Sequence, residues 1–398
     1  MHIFDKCHNF TRAREVMASG YYPYFVPIEG SSDTEIYVGG ERKLMIGSNN
    51  YLGLTHHPCI VEAAQKAIEK YGSGCTGSRF LNGNMDLHER LEERLARFMG
   101  TEAALVFSTG YQTNLGVIGT LVGRTDKIYL DKLDHASIVD GSRLSYGEVA
   151  RFKHGDLDDL RRQFEADQAA EKNGGGRMVV VDGVFSMEGD IADVPGLLDV
   201  CEEFNAVLVV DDAHSIGYLG PSGAGTAEYY GMIDRVPLTI GTFSKSFASI
   251  GGFVAGPEPV IHYLRHHARS LMFSASMPPS AVATVLAALD IIESEPERRE
   301  RLWEITHHMM DGFRGLGFEI GPTQTPIIPI MVGPMEKTFV FWKELFDAGV
   351  FTNPVMPPAV PENSCRLRTS YIATHSDEQL NYVLDTFEKI GKRLAVIS

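Results

Sequence analysis

Cysteine is scarce in this sequence. Cys7, Cys59, Cys75, Cys201 and Cys365 are scattered, odd in number and free of any Cys-x-x-Cys pair. This leaves no basis for a disulfide framework or a zinc cluster, and it suits a reducing compartment. Positive charge is also short. Lys and Arg total 36 against 52 Asp and Glu, a net charge of -16. With no basic run to offset it, that balance argues against a nucleic-acid binder. No apolar run approaches the roughly 18 residues of a spanning helix. Charged Asp5, Lys6, Arg12 and Arg14 stand where the apolar stretch of a leader would lie. No signal peptide is therefore expected, and a cytoplasmic location is. Internal repeats are lacking, and Gly174–Gly176 is the one low-complexity stretch.

What is present is ample core material. The chain has 398 residues, 44% of them hydrophobic and 10% aromatic. That length and composition predict two domains rather than one.

The chain is organised around Gly241-Thr242-Phe243-Ser244-Lys245-Ser246. The apolar run Val236–Ile240 leads in, and Gly251-Gly252 follows. The pattern reads as a buried strand ending in a small-residue turn. A lysine in apolar surroundings loses hydration, which frees its amine to attack carbonyls. Hydroxyls beside it can bind a phosphate. Together they meet the needs of a covalent pyridoxal phosphate (PLP) site. Alone, the stretch fits a solvated surface loop equally well.

Residues 1 to about 20 read as a helix, and Tyr21–Pro27 as extended. Glu35–Val38 and Lys43–Ile46 flank Gly39-Gly40, a hairpin pattern. Asn49-Asn50-Tyr51 is either turn chemistry or a pair of amides aimed at a ligand. Helices are expected over Ile60–Tyr71 and Leu87–Met99. Between them, the glycine-dense Gly72–Gly83 is either a linker or a place of close backbone approach.

From about 103 to 256 strands alternate with helices, which predicts a mostly parallel, doubly wound α/β sheet. The strand Ala103–Phe107 runs into Ser108-Thr109-Gly110-Tyr111 and a helix near Leu115. That geometry suits phosphate, and it also suits a plain N-cap. Later strands end in Asp134-His135, in the Gly183–Asp190 turn with Ser186, in Asp211-Asp212-Ala213-His214, and in the lysine turn. Ligands gather at such carboxyl ends. A carboxylate there can keep a pyridine nitrogen protonated. A metal is the rival at Asp211, Asp212 and His214, but supporting ligands are lacking elsewhere, so none is expected. Helices over Ala281–Ser294 and about Pro296–Leu316 precede a smaller alternation of strand and helix. There Arg366-Leu367-Arg368 lies on a late strand. Either arginine suits a carboxylate or a surface ion pair, and spacing does not choose between them.

These residues carry a resemblance. Asn49–Leu54, Ser108–Tyr111, Asp134–Ser137, Asp182–Gly189, Asp211–Ser215 and Gly241–Ser246 resemble the motifs of the α-oxoamine synthases. That family comprises PLP enzymes of aminotransferase fold type I, and the likeness spans essentially the whole chain. Gly77–Gly83, Phe351–Val355 and the proline-rich Pro357–Pro361 are most similar to the bacterial members that join L-serine to a long-chain acyl-CoA. 2-Amino-3-ketobutyrate CoA ligase, 8-amino-7-oxononanoate synthase and 5-aminolevulinate synthase share the cofactor residues.

The resemblance implies roles. Lys245 would hold PLP and move protons, and Asp211 would pair with the pyridine nitrogen. His214 and Ser186 would bind near the phenolic oxygen. His135 would stack on the ring and hold the substrate carboxylate. Gly110, Tyr111, Thr242 and Ser244 would bind the phosphate, and Ser274 would reach the phosphate of a second copy in a homodimer with shared sites. Arg368, ahead of Arg366, and Asn49 would take the carboxylate. An acyl-CoA substrate is compatible with peripheral membrane association. The domains expected are residues 1–48 as an N-terminal segment, 49–280 as the PLP-binding domain and 281–398 as a small C-terminal domain.

Overall fold

A computed structural model describes residues 2–169, 175–357 and 359–398. Gly174, and Pro358 of the proline-rich stretch, fall outside the described residues. The chain forms two compact units, 49–303 and 1–48 with 304–398.

The larger unit is built on a seven-stranded sheet. Its order is Ala103–Phe107, Gly252–Gly256, Leu238–Thr242, Val207–Asp211, Arg177–Asp182, Lys127–Asp131 and Glu148–Phe152. Neighbours from Leu238–Thr242 to Glu148–Phe152 pair in parallel. The strand Gly252–Gly256 alone runs antiparallel, against both of its neighbours. The expected doubly wound α/β sheet is therefore present, with one reversed strand.

Alternation explains why both faces are covered. Met178 and Val180 enter one apolar core, with Leu105, Val117, Ile118 and Ile240. Val179 and Val181 enter the other, with Phe164, Leu198 and Val210. Successive strand side chains point to opposite faces, so a wholly apolar strand needs helices on both. Each fully buried valine contributes about 1.5–3 kcal/mol by leaving water.

Two expectations are adjusted within this unit. The helix after Ala103–Phe107 starts at Gly110, not near Leu115, because the Thr109 side chain caps it by accepting from Gln112 N at 3.0 Å. The boundary expected at 280/281 lies elsewhere. The helix Pro279–Ser294 packs on Pro58–Tyr71 and Asp86–Phe98 and so stays with the larger unit.

In the smaller unit, Cys365–Ser370 is the central strand of a three-stranded antiparallel sheet, between Ile327–Gly333 and Asn353–Val355. A second sheet holds the expected hairpin, Glu35–Val38 and Glu41–Met45. Gly39 and Gly40 have φ of 58° and 77°, the left-handed pair a two-residue hairpin turn requires. The strand Val350–Phe351 pairs in parallel with Glu41–Met45. This pairing is why residues 1–48 join the C-terminal part rather than standing alone. The single N-terminal helix expected is two short ones, Asp5–His8 and Arg12–Ala18. No helix among the described residues is long and apolar enough to cross a membrane.

Candidate active site

At the carboxyl ends of the parallel strands in the larger unit lies a cavity of about 370 Å³. Gly110, Tyr111, His135, Asp211, His214, Thr242, Ser244 and Lys245 all line it, with Asn114, Ser137 and Asp182. Five chain segments supply these residues. They meet because parallel strands present all their carboxyl ends to one side of the sheet.

One end of the cavity is made for an anion. The first N–H groups of the helix Gly110–Leu121 have no partner within the helix and point out of its N-terminus. A Cβ on Gly110 would stand 2.7 Å from Thr242 Oγ1. Only glycine lets the helix approach that close to the strand end. Thr242 Oγ1 lies 3.0 Å from Ser244 Oγ and donates to Gly251 O at 3.0 Å. Helix N–H groups and two hydroxyls thus face one space. The Tyr111 hydroxyl turns to Asp140 instead.

The other end carries the titrating groups. Asp211 is 4% exposed. Its Oδ2 accepts from Asn114 Nδ2 at 2.7 Å and its Oδ1 from Ala213 N at 3.0 Å. Asp212 points elsewhere, accepting from Ser215 Oγ, Thr226 Oγ1 and Thr226 N. Burial pushes the Asp212 carboxyl up to about 6. Of the two adjacent aspartates, one faces the cavity and one braces a loop. His214 Nδ1 lies 2.8 Å from the hydroxyl of the fully buried Tyr51.

His135 N donates to Asp182 Oδ2 at 2.8 Å. Burial lowers the pKa of the His135 imidazole; the Asp211 charge opposes that and the Lys245 charge adds to it. Its ring is therefore neutral at neutral pH. Asp134 and Asp182 are both held well above the usual carboxylate range, by burial first and then by the Asp182 charge on Asp134 and the Asp211 charge on Asp182.

An amine, a carboxylate, an aromatic ring and an anion cradle in one cavity fit a phosphorylated pyridine aldehyde. Comparison with known proteins agrees. The model of the family "Aminotransferase class I and II" matches residues 41–387.

The chain belongs to the aminotransferase class I and II family.

This aminotransferase-family chain is 49% identical to a serine palmitoyltransferase of Sphingobacterium spiritivorum, over 100% of this chain and 98% of the relative. It is 42% identical to an 8-amino-7-oxononanoate synthase of Geotalea daltonii, over 95% of this chain and 96% of the relative. Among solved structures it is similar to a Sphingomonas wittichii serine palmitoyltransferase, with a TM-score of 0.96, 37% identity and 100% of both chains covered. A serine palmitoyltransferase of S. paucimobilis with bound PLP and myriocin matches with a TM-score of 0.94, 36% identity and 99% and 98% of the chains covered. The fold is that of the PLP-dependent aminotransferases, fold type I.

Other residues singled out in the sequence stand apart from this cavity's lining. Ser186 sits in the turn closed by Gly189 N donating to Phe185 O. Ser274 Oγ accepts from Gln112 Nε2 at 3.0 Å, one turn into the helix that starts at Gly110. Asn49 Oδ1 is 3.4 Å from the Tyr51 hydroxyl. Arg366 and Arg368 lie in the smaller unit, both buried, on one face of its central strand.

Asn114, Ser137 and Tyr51 were not singled out from the sequence for the site. Asn114 carried a signal: it stands four residues after Gly110, hence on the same helix face. Tyr51 carried none, because only the fold brings it to His214.

Proposed function

We propose that this chain is an acyltransferase that condenses L-serine with palmitoyl-CoA, releasing CoA and CO2 and forming 3-ketodihydrosphingosine, the first step of sphingolipid biosynthesis. The observation that carries the proposal is the convergence of Lys245, Asp211, His135, Gly110, Thr242 and Ser244 on one cavity. The 49% identity to a serine palmitoyltransferase supports the choice of substrates.

PLP, when bound, would supply an electron sink that acidifies the Cα–H of serine. Lys245 would hold the cofactor covalently between turnovers, take the Cα proton of serine and later return one. Asp211 would keep the pyridine nitrogen protonated. The N–H groups of Gly110 and Tyr111, with Thr242 and Ser244, bind the phosphate. His135 would hold the cofactor ring, and His214 and Ser186 would hydrogen-bond near its phenolic oxygen. Arg368, aided by Asn49 and His135, holds the serine carboxylate, for which a guanidinium fork is suited. Holding that carboxylate in place favours loss of the proton before loss of CO2. The deprotonated Cα attacks the thioester carbonyl, a C–C bond forms and the C–S bond breaks. CoA leaves, the β-keto acid loses CO2, and Cα is reprotonated. A homodimer belongs to the proposal, with Ser274 of each copy reaching the phosphate held by the other. So does a cytoplasmic location, which the five unpaired cysteines suit.

The test is CoA release from palmitoyl-CoA with L-serine, and mass spectrometry of the product. CoA and 3-ketodihydrosphingosine are the expected result. The 42% identity to an 8-amino-7-oxononanoate synthase favours a second reading, an α-oxoamine synthase using another amino acid or acyl-CoA. CoA release with glycine and acetyl-CoA but not with serine would move the enzyme to that branch. A keto acid with no CoA would indicate an aminotransferase.

A further inference from the structure

Along the cavity wall a chain of hydrogen bonds joins Asp211 to His135, and every proton in it has one possible place. It begins at Asn114, which is 2% exposed. Asn114 Nδ2 donates to Asp211 Oδ2 at 2.7 Å and to Ser137 Oγ at 2.9 Å. Turning the amide over would put its carbonyl oxygen 2.7 Å from a carboxylate oxygen, a contact with no proton to share. The amide nitrogen therefore faces both partners. Ser137 is also 2% exposed. Its Oγ already accepts from Asn114 and lies 2.7 Å from His135 Nδ1. The backbone N–H of Ser137 donates to that same Nδ1 at 3.3 Å. A ring nitrogen that receives an N–H carries a lone pair, so the Ser137 hydroxyl donates to it as well.

We infer that Ser137 is a positioning residue, which holds neutral His135 in the tautomer with its proton on Nε2. The consequence is chemical. His135 lines the cavity, and its Nδ1 is spent on Ser137. The neutral ring is left with one N–H, a donor suited to a carboxylate oxygen. A tautomer with its proton on Nδ1 would offer that carboxylate a lone pair and repel it. Asn114 ties this choice to Asp211, since both of its N–H bonds are committed. This inference rests on the proposed reading for the identity of the carboxylate, and on geometry alone for the tautomer.

The test reads the tautomer directly. Protein with 15N-labelled histidine, as purified and without substrate, gives long-range 1H–15N correlations that distinguish Nε2–H from Nδ1–H. His135→Asn assigns the signal. In the wild type, a single Nε2–H pattern is expected at neutral pH. An Nδ1–H or imidazolium pattern overturns the inference without any further variant. In Ser137→Ala only the 3.3 Å bond from the backbone N–H still favours this tautomer, so a mixture is expected, with the KM for L-serine raised about tenfold, as for one lost hydrogen bond, and a smaller change in kcat. Ser137→Thr keeps the hydroxyl and restores both. A Ser137→Ala spectrum identical to the wild type would refute a role for the hydroxyl. Absence of CoA release by the wild type would refute the proposed reaction and leave the tautomer result standing.

Discussion

Lys245 follows the strand Leu238–Thr242 by three residues and shares its cavity with Asp211 and His135. In the proposed reaction its amine is the group that takes the proton. Lys245→Ala is expected to lower turnover at least 100-fold, on the order of a lost general base, and to abolish the visible absorbance of covalently held PLP; normal turnover would overturn its assignment. His154 makes a different prediction at the same scale. Its Nδ1 and Nε2 each lie 3.0 Å from a carboxylate, Asp131 and Asp190. Burial disfavours its charge, but the two carboxylates outweigh burial and push its pKa up to about 10. A histidine whose folded pKa is raised stabilises the fold below its unfolded value of about 6.5. That stabilisation falls as pH rises and is gone above the folded value. His154→Gln is expected to cost about 2 kcal/mol near pH 6, less than a fully buried pair because the ring is 27% exposed. The gap between variant and wild type in urea unfolding is expected to close as pH approaches 10. A gap independent of pH would show that His154 stabilises by packing instead.

Two glycines of the helix Gly110–Leu121 separate the site from the scaffold. A Cβ on Gly110 would meet Thr242 Oγ1 at 2.7 Å and Thr242 Cβ at 2.8 Å. A Cβ on Gly119 would meet nothing closer than Leu144 Cβ at 3.9 Å. Gly110→Ala is therefore expected to move the helix N-terminus off the strand end and weaken PLP binding in an absorbance titration. Gly119→Ala is expected to leave binding unchanged and raise stability by about 1 kcal/mol, the helix preference of alanine over glycine. Equal PLP affinity in both variants would remove the helix N-terminus from the phosphate site. The strand Cys365–Ser370 shows another effect of element geometry. Regular antiparallel pairing puts Arg366 and Arg368 on one face, so alternation gives no preference between them. Arg368→Ala and Arg366→Ala, compared by the KM for serine, divide the role.

At the level of the whole molecule, PLP that binds only the folded chain stabilises it by mass action. Saturation at 100 times its dissociation constant is expected to add about 2.7 kcal/mol, read as a raised melting temperature. The proposed homodimer is expected to show a light-scattering mass twice 43.9 kDa. A monomer with full activity would remove Ser274 from the shared site.

The α/β architecture was legible because wholly apolar strands such as Val179–Val181 need cover on both faces, and each is punctuated by a small-residue turn. The cavity lining was legible because Lys245, Asp211, His135 and Gly110 all stand at strand ends, where a parallel sheet presents its ligand-binding edge. Composition and spacing did not choose between Asp211 and Asp212; the resemblance chose Asp211, and Asp211 is the one that lines the cavity. The attachment of residues 1–48 to the C-terminal part was not legible either, because it rests on Val350–Phe351 pairing with Glu41–Met45 some three hundred residues away. Local composition and periodicity, which belong to the sequence alone, thus determined the elements and the side chains that stand at the strand ends. Long-range contacts determined their partners: Tyr51 to His214, and Asn114 to both Asp211 and Ser137. The physical reason is that a hydrogen bond depends on where two atoms meet, and only the packed fold brings distant segments to that distance.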